Sequence, residues 1–183
     1  MAAGKVLAVT AGSLRPRREL PEARPTRRRG LGFGGPRIVD VGGGRVSTTA
    51  EQATIKEFEQ RYEVKPTELT RQIERAVIGG DWGANGYTTM EQADRVGRDL
   101  ALGPSSRLLD LGAGRGWPGL YLAASTGCRV VMADVPADAL RAAAARAVDE
   151  DLADRACPVI CSAGHLPFRR ASFDAVVHTD VLC

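Results

Sequence analysis

Residues 108–123, LLDLGAGRGWPGLYLA, restrict the fold of this chain more than any other stretch. A short apolar run carries Asp110 near its end, and glycines then occupy the alternate positions Gly112, Gly114 and Gly116 before a helix-compatible segment begins. Glycine lets the backbone turn tightly and approach a ligand closely. In open α/β sheets, ligands bind where strands end in such turns. The stretch therefore predicts a strand, a ligand-binding turn and a helix.

Strand and helix patterns alternate through the rest of the C-terminal half. Strand patterns cover residues 107–111, 129–135, 158–163 and 173–182, and helix patterns cover residues 117–126 and 136–153. Alternation of this kind is typical of a parallel, doubly wound sheet. We therefore predict an α/β fold with a Rossmann-like doubly wound sheet that contains these four strands.

Three amphipathic helices are predicted upstream of the sheet. Capping boxes are predicted at Thr48 with Glu51 and at Thr88 with Glu91. The second helix, after Pro66, carries an apolar stripe that includes Leu69 and Ile73. We divide the chain into a disordered basic and glycine-rich tail (1–46), an N-terminal helical segment (47–103) and a partial cofactor-binding domain (104–183).

Charge is distributed unevenly along the chain. The net charge is +3, but residues 1–50 hold ten Arg and Lys against three Asp and Glu, and residues 51–183 hold fifteen against nineteen. The predicted domain therefore gives no reason to expect a nucleic-acid surface. We also expect no membrane segment and no metal site. The four cysteines have no C-x-x-C spacing, which favours core thiols in a reducing compartment such as the cytoplasm.

Three ligand classes compete for the glycine turn. A dinucleotide would use Gly114, Gly116 and Gly119, but its pyrophosphate needs free N–H groups, and Pro118 removes one. A nucleotide triphosphate is excluded because no G-K-[ST] follows the glycines. A ligand without phosphate, carrying a cationic group, is compatible with an acid at position 110.

The stretch LLDLGAGRG resembles the first motif of class I S-adenosylmethionine-dependent methyltransferases, acidic-x-Gly-x-Gly-x-Gly. Asp134 ends the second strand, as the ribose-binding acid does in that family. The stretch CSAGHLPFRRASFDAVVHTDVL resembles the family's segment from the adenine-contacting turn to the fourth strand. The resemblance covers roughly residues 80–183 and implies a sheet order of 3-2-1-4 for the strands present, S-adenosylmethionine as cofactor and a small-molecule methyl acceptor.

The resemblance also implies roles for individual residues. Asp134 would bind the ribose hydroxyls, with an N-cap of the following helix as its alternative. Asp110 would lie near the cationic methionine end with Gly112, Gly114 and Gly116, or else bond amides of the loop. The remaining candidates are Val135 beside the ribose, Ser162 and Ala163 at the adenine, where the family commonly has an acid, and Tyr87, which would cap the methionine end or pack at an interface.

The acceptor side is less constrained. His178, at the end of the fourth strand, is a candidate general base, with a structural role as its alternative. Because the match stops after the fourth strand, we expect FDAVV to form an unpaired apolar edge and the chain as given to turn over little cofactor. A non-catalytic cofactor-binding or interaction protein is therefore the alternative function. The acceptor, its reacting atom and the oligomeric state stay open.

Overall fold

The computed structural model describes residues 7–9, 38–40, 49–63, 67–84 and 86–179. Within these ranges the strands are β1 (Leu7–Val9), β2 (Val39–Asp40), β3 (Arg107–Leu111), β4 (Arg129–Asp134), β5 (Ala156–Ile160) and β6 (Ala175–His178). They form one sheet in the order β1-β6-β3-β4-β5-β2, and every neighbouring pair is parallel except β1 with β6. The stretch β5-β4-β3-β6 is the predicted order 3-2-1-4.

The described helices are α1 (Thr49–Glu63), α2 (Glu68–Val77), α3 (Met90–Asp99), α4 (Gly119–Thr126) and α5 (Ala137–Asp149). The capping box of α3 joins Thr89 and Gln92, so the predicted box of Thr88 and Glu91 is wrong by one residue. Thr88 is instead buried, and its carbonyl accepts a bond from the indole of Trp117. Position 48, the first residue of the other predicted box, lies outside the described residues.

The sheet has a different apolar layer on each face. On one face, fully buried side chains from β3, β4, α4 and α5 form the main core, including Leu108, Val130, Leu120 and Leu140. On the other face, a smaller cluster from β3, β4 and β5 packs against Phe168 and Phe173. Because both faces are covered, the strands are continuous apolar runs, as expected for parallel sheets.

Helix α2 leaves its apolar stripe uncovered by the described residues. Its apolar stripe, Leu69, Ile73 and Val77, is more than half exposed, and no residue of α2 is buried. By contrast, α1 contacts α5, and α3 contacts α4. The stripe itself was predicted, but helical periodicity does not say whether a partner surface lies within reach.

Two parts of the predicted tail belong to the sheet. Leu7–Val9 pairs antiparallel with Val176–His178, and Val39–Asp40 pairs parallel with Val159–Ile160. The expectation of disorder is therefore wrong at these residues, and so is the expectation that the outer edge of β6 is unpaired. Strand edges carry N–H and C=O groups that need partners, which is the physical reason for short added strands there.

Among the described residues, no helix combines the length and apolar character needed to cross a bilayer.

Candidate functional site: the glycine turn and its surroundings

The turn between β3 and α4 depends on three glycines with positive φ. Gly112, Gly114 and Gly116 have φ values of 73°, 53° and 99°, a region that other residues rarely adopt. A Cβ at Gly114 would lie 2.6 Å from the Tyr62 hydroxyl oxygen, and one at Gly116 would lie 2.5 Å from Leu120 Cδ1. The turn therefore needs glycines at these positions, because neighbouring side chains pack directly against its backbone at the carboxyl end of β3.

Asp110 lies beneath this turn. Its side chain is buried, and Oδ2 accepts a hydrogen bond of 2.9 Å from the Gly119 N–H at the start of α4. Burial raises the pKa of Asp110 to about 8; the Gly119 amide opposes this rise, and the negative charge of Asp134 adds to it. Of the two alternatives for Asp110, the structure shows the bond to a loop amide.

Asp134 ends β4 and faces the glycine turn. Its Oδ2 accepts from the Gly114 N–H at 2.7 Å, and its Oδ1 accepts from the Val135 N–H at 2.7 Å. A carboxylate offers about four lone-pair positions, so two remain for further donors. Helix α5 is capped at Pro136 without a side-chain bond, so Asp134 is not its N-cap in this structure. Burial raises the pKa of Asp134, and its two backbone donors partly offset that effect.

The residues after β5 lie beside Asp134. The Cys161 N–H donates to the Asp134 carbonyl at 2.9 Å, which aligns the ends of β4 and β5. Ser162 follows and is half-buried, and its Oγ accepts from the Gly164 N–H at 3.2 Å. Ala163 is exposed. Asp134, Val135, Ser162 and Ala163 therefore occupy one edge of the sheet.

The loop between α2 and α3 also reaches the turn. A Cβ at Gly83 would lie 3.3 Å from Arg115 Cβ, so this loop touches the turn directly. The Trp117 indole N–H donates to the Thr88 carbonyl at 3.1 Å, which fixes the loop next to Tyr87. Tyr87 itself is 74% exposed. Its proposed place at the methionine end stays a prediction.

An aromatic cluster supports that loop from below. Trp82, Trp117 and Tyr121 have ring centroids 5.4–6.4 Å apart, within the range of favourable aromatic pairs. The Tyr121 hydroxyl donates to Asp94 Oδ1 at 2.6 Å. This bond raises the pKa of Tyr121 to about 12, and burial adds to the rise. The phenol therefore stays protonated and acts as a structural donor that joins α4 to α3.

Tyr62 is a site residue that the sequence analysis missed. It lies in the last turn of α1, and its hydroxyl covers Gly114. The sequence places Tyr62 on one helical face with Ile55 and Phe58, a pattern that predicts only packing. No local signal indicates that α1 returns to the glycine turn, because the contact joins residues far apart in the sequence.

His178 ends β6, the strand next to β3, and is half-buried. It stands in register with Leu7 of β1. Its position at the carboxyl edge of the sheet matches the predicted one, while its role as a base stays a prediction. The described residues include no group of three or more His, Cys, Asp or Glu placed to hold a metal ion.

Comparison with known proteins finds a family match for the C-terminal part of the chain. Residues 108–183 match the family described as "Methyltransferase domain". No curated protein sequence matches the chain significantly.

Three similar solved structures are methyltransferases. A geranyl diphosphate C-methyltransferase from Streptomyces coelicolor A3(2) is 18% identical over 67% of this chain and 52% of its own, with a TM-score of 0.49. An RNA methyltransferase from Salinibacter ruber is 23% identical over 43% and 52%, with a TM-score of 0.42. A methyltransferase from Geobacter sulfurreducens is 30% identical over 43% and 32%, with a TM-score of 0.40. This chain spans about half or less of each protein's length.

The family match covers the glycine turn, Asp134 and the strands β4, β5 and β6. The strand order β5-β4-β3-β6 and the placement of the turn at the carboxyl end of β3 agree with that match. Residues 108–183 of this chain therefore match the methyltransferase-domain family, and the strand order is the one that the resemblance to class I S-adenosylmethionine-dependent methyltransferases implies.

Proposed function

We propose that this protein binds S-adenosylmethionine at the glycine turn and transfers its methyl group to a small-molecule acceptor. The observation that carries the proposal is the meeting of the bare glycine turn with the Asp134 carboxylate through the 2.7 Å bond to the Gly114 N–H. When bound, the sulfonium supplies an activated methyl group. The protein then has to hold the ligand, align the acceptor and accept a proton where the acceptor carries one.

Asp134 is the proposed ribose-binding residue. Its two remaining lone-pair positions suit two hydroxyl donors, and hydrogen bonds to an ionised acceptor are the stronger kind. Val135, Ser162 and Ala163 continue along the same edge of the sheet and would contact the adenine. Ser162 replaces the acid that the family commonly has there, so we expect its hydroxyl to make the weaker, uncharged bond.

The bare backbone of Gly112, Gly114 and Gly116 would receive the methionine part of the cofactor. Asp110 would support this part of the site from below the turn, because its bond to the Gly119 N–H positions the first turn of α4. Tyr87 and Tyr62 would cover this end of the cofactor from the N-terminal segment. His178 is the candidate base on the acceptor side.

A small-molecule acceptor is favoured over a nucleic acid by charge. Residues 51–183, which include the whole predicted domain, hold more Asp and Glu than Arg and Lys. Binding to a phosphate backbone depends on clusters of positive charge. We also propose a cytoplasmic location, because Cys128, Cys157 and Cys161 are buried free thiols, the state expected in a reducing compartment.

The experiment has two arms. Calorimetric titration of the full chain with S-adenosylmethionine, S-adenosylhomocysteine and NADH tests the site: the first two should bind and NADH should not. Incubation with labelled S-adenosylmethionine and a cell extract tests methyl transfer, detected as S-adenosylhomocysteine formed. Binding without consumption would support the alternative of a non-catalytic cofactor-binding protein, and tight NADH binding would refute the site assignment.

A further inference from the structure

Arg115 is the residue between Gly114 and Gly116, and its side chain turns away from the sheet toward α1. Its Nη2 donates a hydrogen bond of 3.2 Å to the Tyr62 carbonyl, and its guanidinium lies 5.5 Å from the centroid of the Tyr62 ring. Both contacts are to the same residue. Arg115 therefore binds Tyr62 through its backbone and through its ring, which restricts the end of α1 in position and in orientation.

The Tyr62 carbonyl is a favourable acceptor because of its place in the helix. Tyr62 is the penultimate residue of α1, and the last four carbonyls of a helix have no partner within the helix. The same end carries a partial negative charge that favours a cation nearby. The planar guanidinium of arginine can bond a carbonyl and stack on an aromatic ring, which an ammonium group does less well.

The other end of this contact is the cofactor turn. The Tyr62 hydroxyl lies 2.6 Å from the position that a Cβ of Gly114 would take. The Gly114 N–H is itself bonded to Asp134 Oδ2 at 2.7 Å. The end of α1, the glycine turn and the proposed ribose-binding carboxylate are therefore linked by three consecutive contacts.

We propose that Arg115 is a positioning residue that holds α1 closed over the glycine turn through Tyr62. Cofactor binding and the ordering of α1 are then coupled: an occupied turn favours the closed position of α1, and a closed α1 favours cofactor binding by the same factor. The coupling part of this proposal rests on the proposed function. The Arg115–Tyr62 contact does not, because its hydrogen bond and its ring contact join two residues of this chain.

Hydrogen exchange of the full chain tests the contact first, without any ligand. Arg115→Ala should increase the exchange rate in the last turn of α1, whereas Arg95→Ala should not, because Arg95 is an exposed arginine on α3 paired with Asp99. Arg115→Lys should be intermediate. Tyr62→Phe keeps the ring and the carbonyl and should retain protection, whereas Tyr62→Ala should lose it. Unchanged α1 exchange in Arg115→Ala, with circular dichroism showing a folded protein, would overturn the contact.

Hydrogen exchange with added S-adenosylhomocysteine then tests the coupling. The ligand should protect α1 in the wild type and in Arg95→Ala, and this protection should be lost in Arg115→Ala. The dissociation constant of Arg115→Ala should rise at least about fivefold, the lower end of typical coupling between sites. Equal ligand-induced protection of α1 in Arg115→Ala and wild type would overturn the coupling. Failure of the wild type to bind the ligand would instead refute the proposed function, while the ligand-free comparison still decides the contact.

Discussion

Replacement of Asp134 is the most direct test of the cofactor site. In Asp134→Asn, one of the two carboxylate oxygens becomes an NH₂ group, which cannot accept a hydrogen bond. The bond from either the Gly114 N–H or the Val135 N–H is therefore lost. The variant also loses the negative charge to which ribose hydroxyls would donate. A hydrogen bond to a charged group contributes about 1.5–3 kcal/mol. Since 1.4 kcal/mol is a factor of ten, the dissociation constant for S-adenosylhomocysteine should rise about 10- to 150-fold.

The pH dependence of binding provides a second signature of the same residue. Burial raises the pKa of Asp134. The ionised carboxylate accepts hydroxyl bonds better than the protonated acid, so ligand affinity should fall as the pH is lowered through this raised pKa. Asp134→Asn has no such group, and its affinity should lack that component of the pH dependence.

Calorimetry of the wild type, Asp134→Asn and Asp138→Asn gives the comparison. Asp138 is the matched control because it lies four residues later, in the first turn of α5, where it pairs with exposed Arg141. Its replacement should change the affinity by less than a factor of about five, since exposed ion pairs contribute about 0–1 kcal/mol. Unchanged affinity in a folded Asp134→Asn protein would refute the ribose assignment.

Three further variants test other parts of the structure. The pKa of Asp110, raised by burial to about 8, makes the folded protein bind a proton that the unfolded chain releases near pH 4. The free energy of unfolding should therefore fall by up to about 1.4 kcal/mol for each unit by which the pH rises from about 4 to about 8. Urea titrations should show less of this fall in Asp110→Asn. Gly114→Ala should lower the melting temperature, because it combines a left-handed backbone with a clash against the Tyr62 hydroxyl, and adding Tyr62→Phe should recover part of that loss. Deleting residues 1–12 should expose the edge of β6 and produce oligomers by size-exclusion chromatography, whereas a monomer of unchanged melting temperature would show that β1 contributes nothing.

The central strands and helices could be predicted because their signals are local. Apolar runs such as RLLDL and RVVMAD are long enough to identify β3 and β4, and glycines mark the turn between β3 and α4. The strands β1 and β2 have three and two residues, too few to show any period. They form because the edges of β6 and β5 offer unpaired backbone groups, a cause that lies far away in the sequence.

The residues of the candidate site also differ in whether the sequence alone could place them. Asp134 and the glycines could be placed from sequence, because a strand end and a turn fix their positions. Whether Asp110 meets a ligand or a loop amide depends on the path of the backbone after the turn, and only the structure shows its bond to Gly119. The contact between Tyr62 and Arg115 could not be predicted from the sequence, because 53 residues separate the two and no motif requires that contact.

The hydrogen bonds of the turn also bear on the choice between ligand classes. A dinucleotide would need N–H groups at the start of α4 for its pyrophosphate. The Gly114 N–H is bonded to Asp134, the Gly119 N–H is bonded to Asp110, and Pro118 has none.

The same two acids also disfavour a diphosphate at a pH where they are ionised, which for Asp110, with its pKa of about 8, means alkaline conditions. Asp110 is buried and Asp134 is half-buried, and charges interact more strongly in such a low-dielectric setting than in water. A pyrophosphate would meet engaged donors and, where these acids are ionised, repulsion. A ligand that offers hydroxyl donors and a cation meets the opposite situation, since carboxylates accept from hydroxyls and attract positive charge. The hydrogen bonds of Asp110 and Asp134 therefore shape the turn and also occupy two of the donors that a dinucleotide would need.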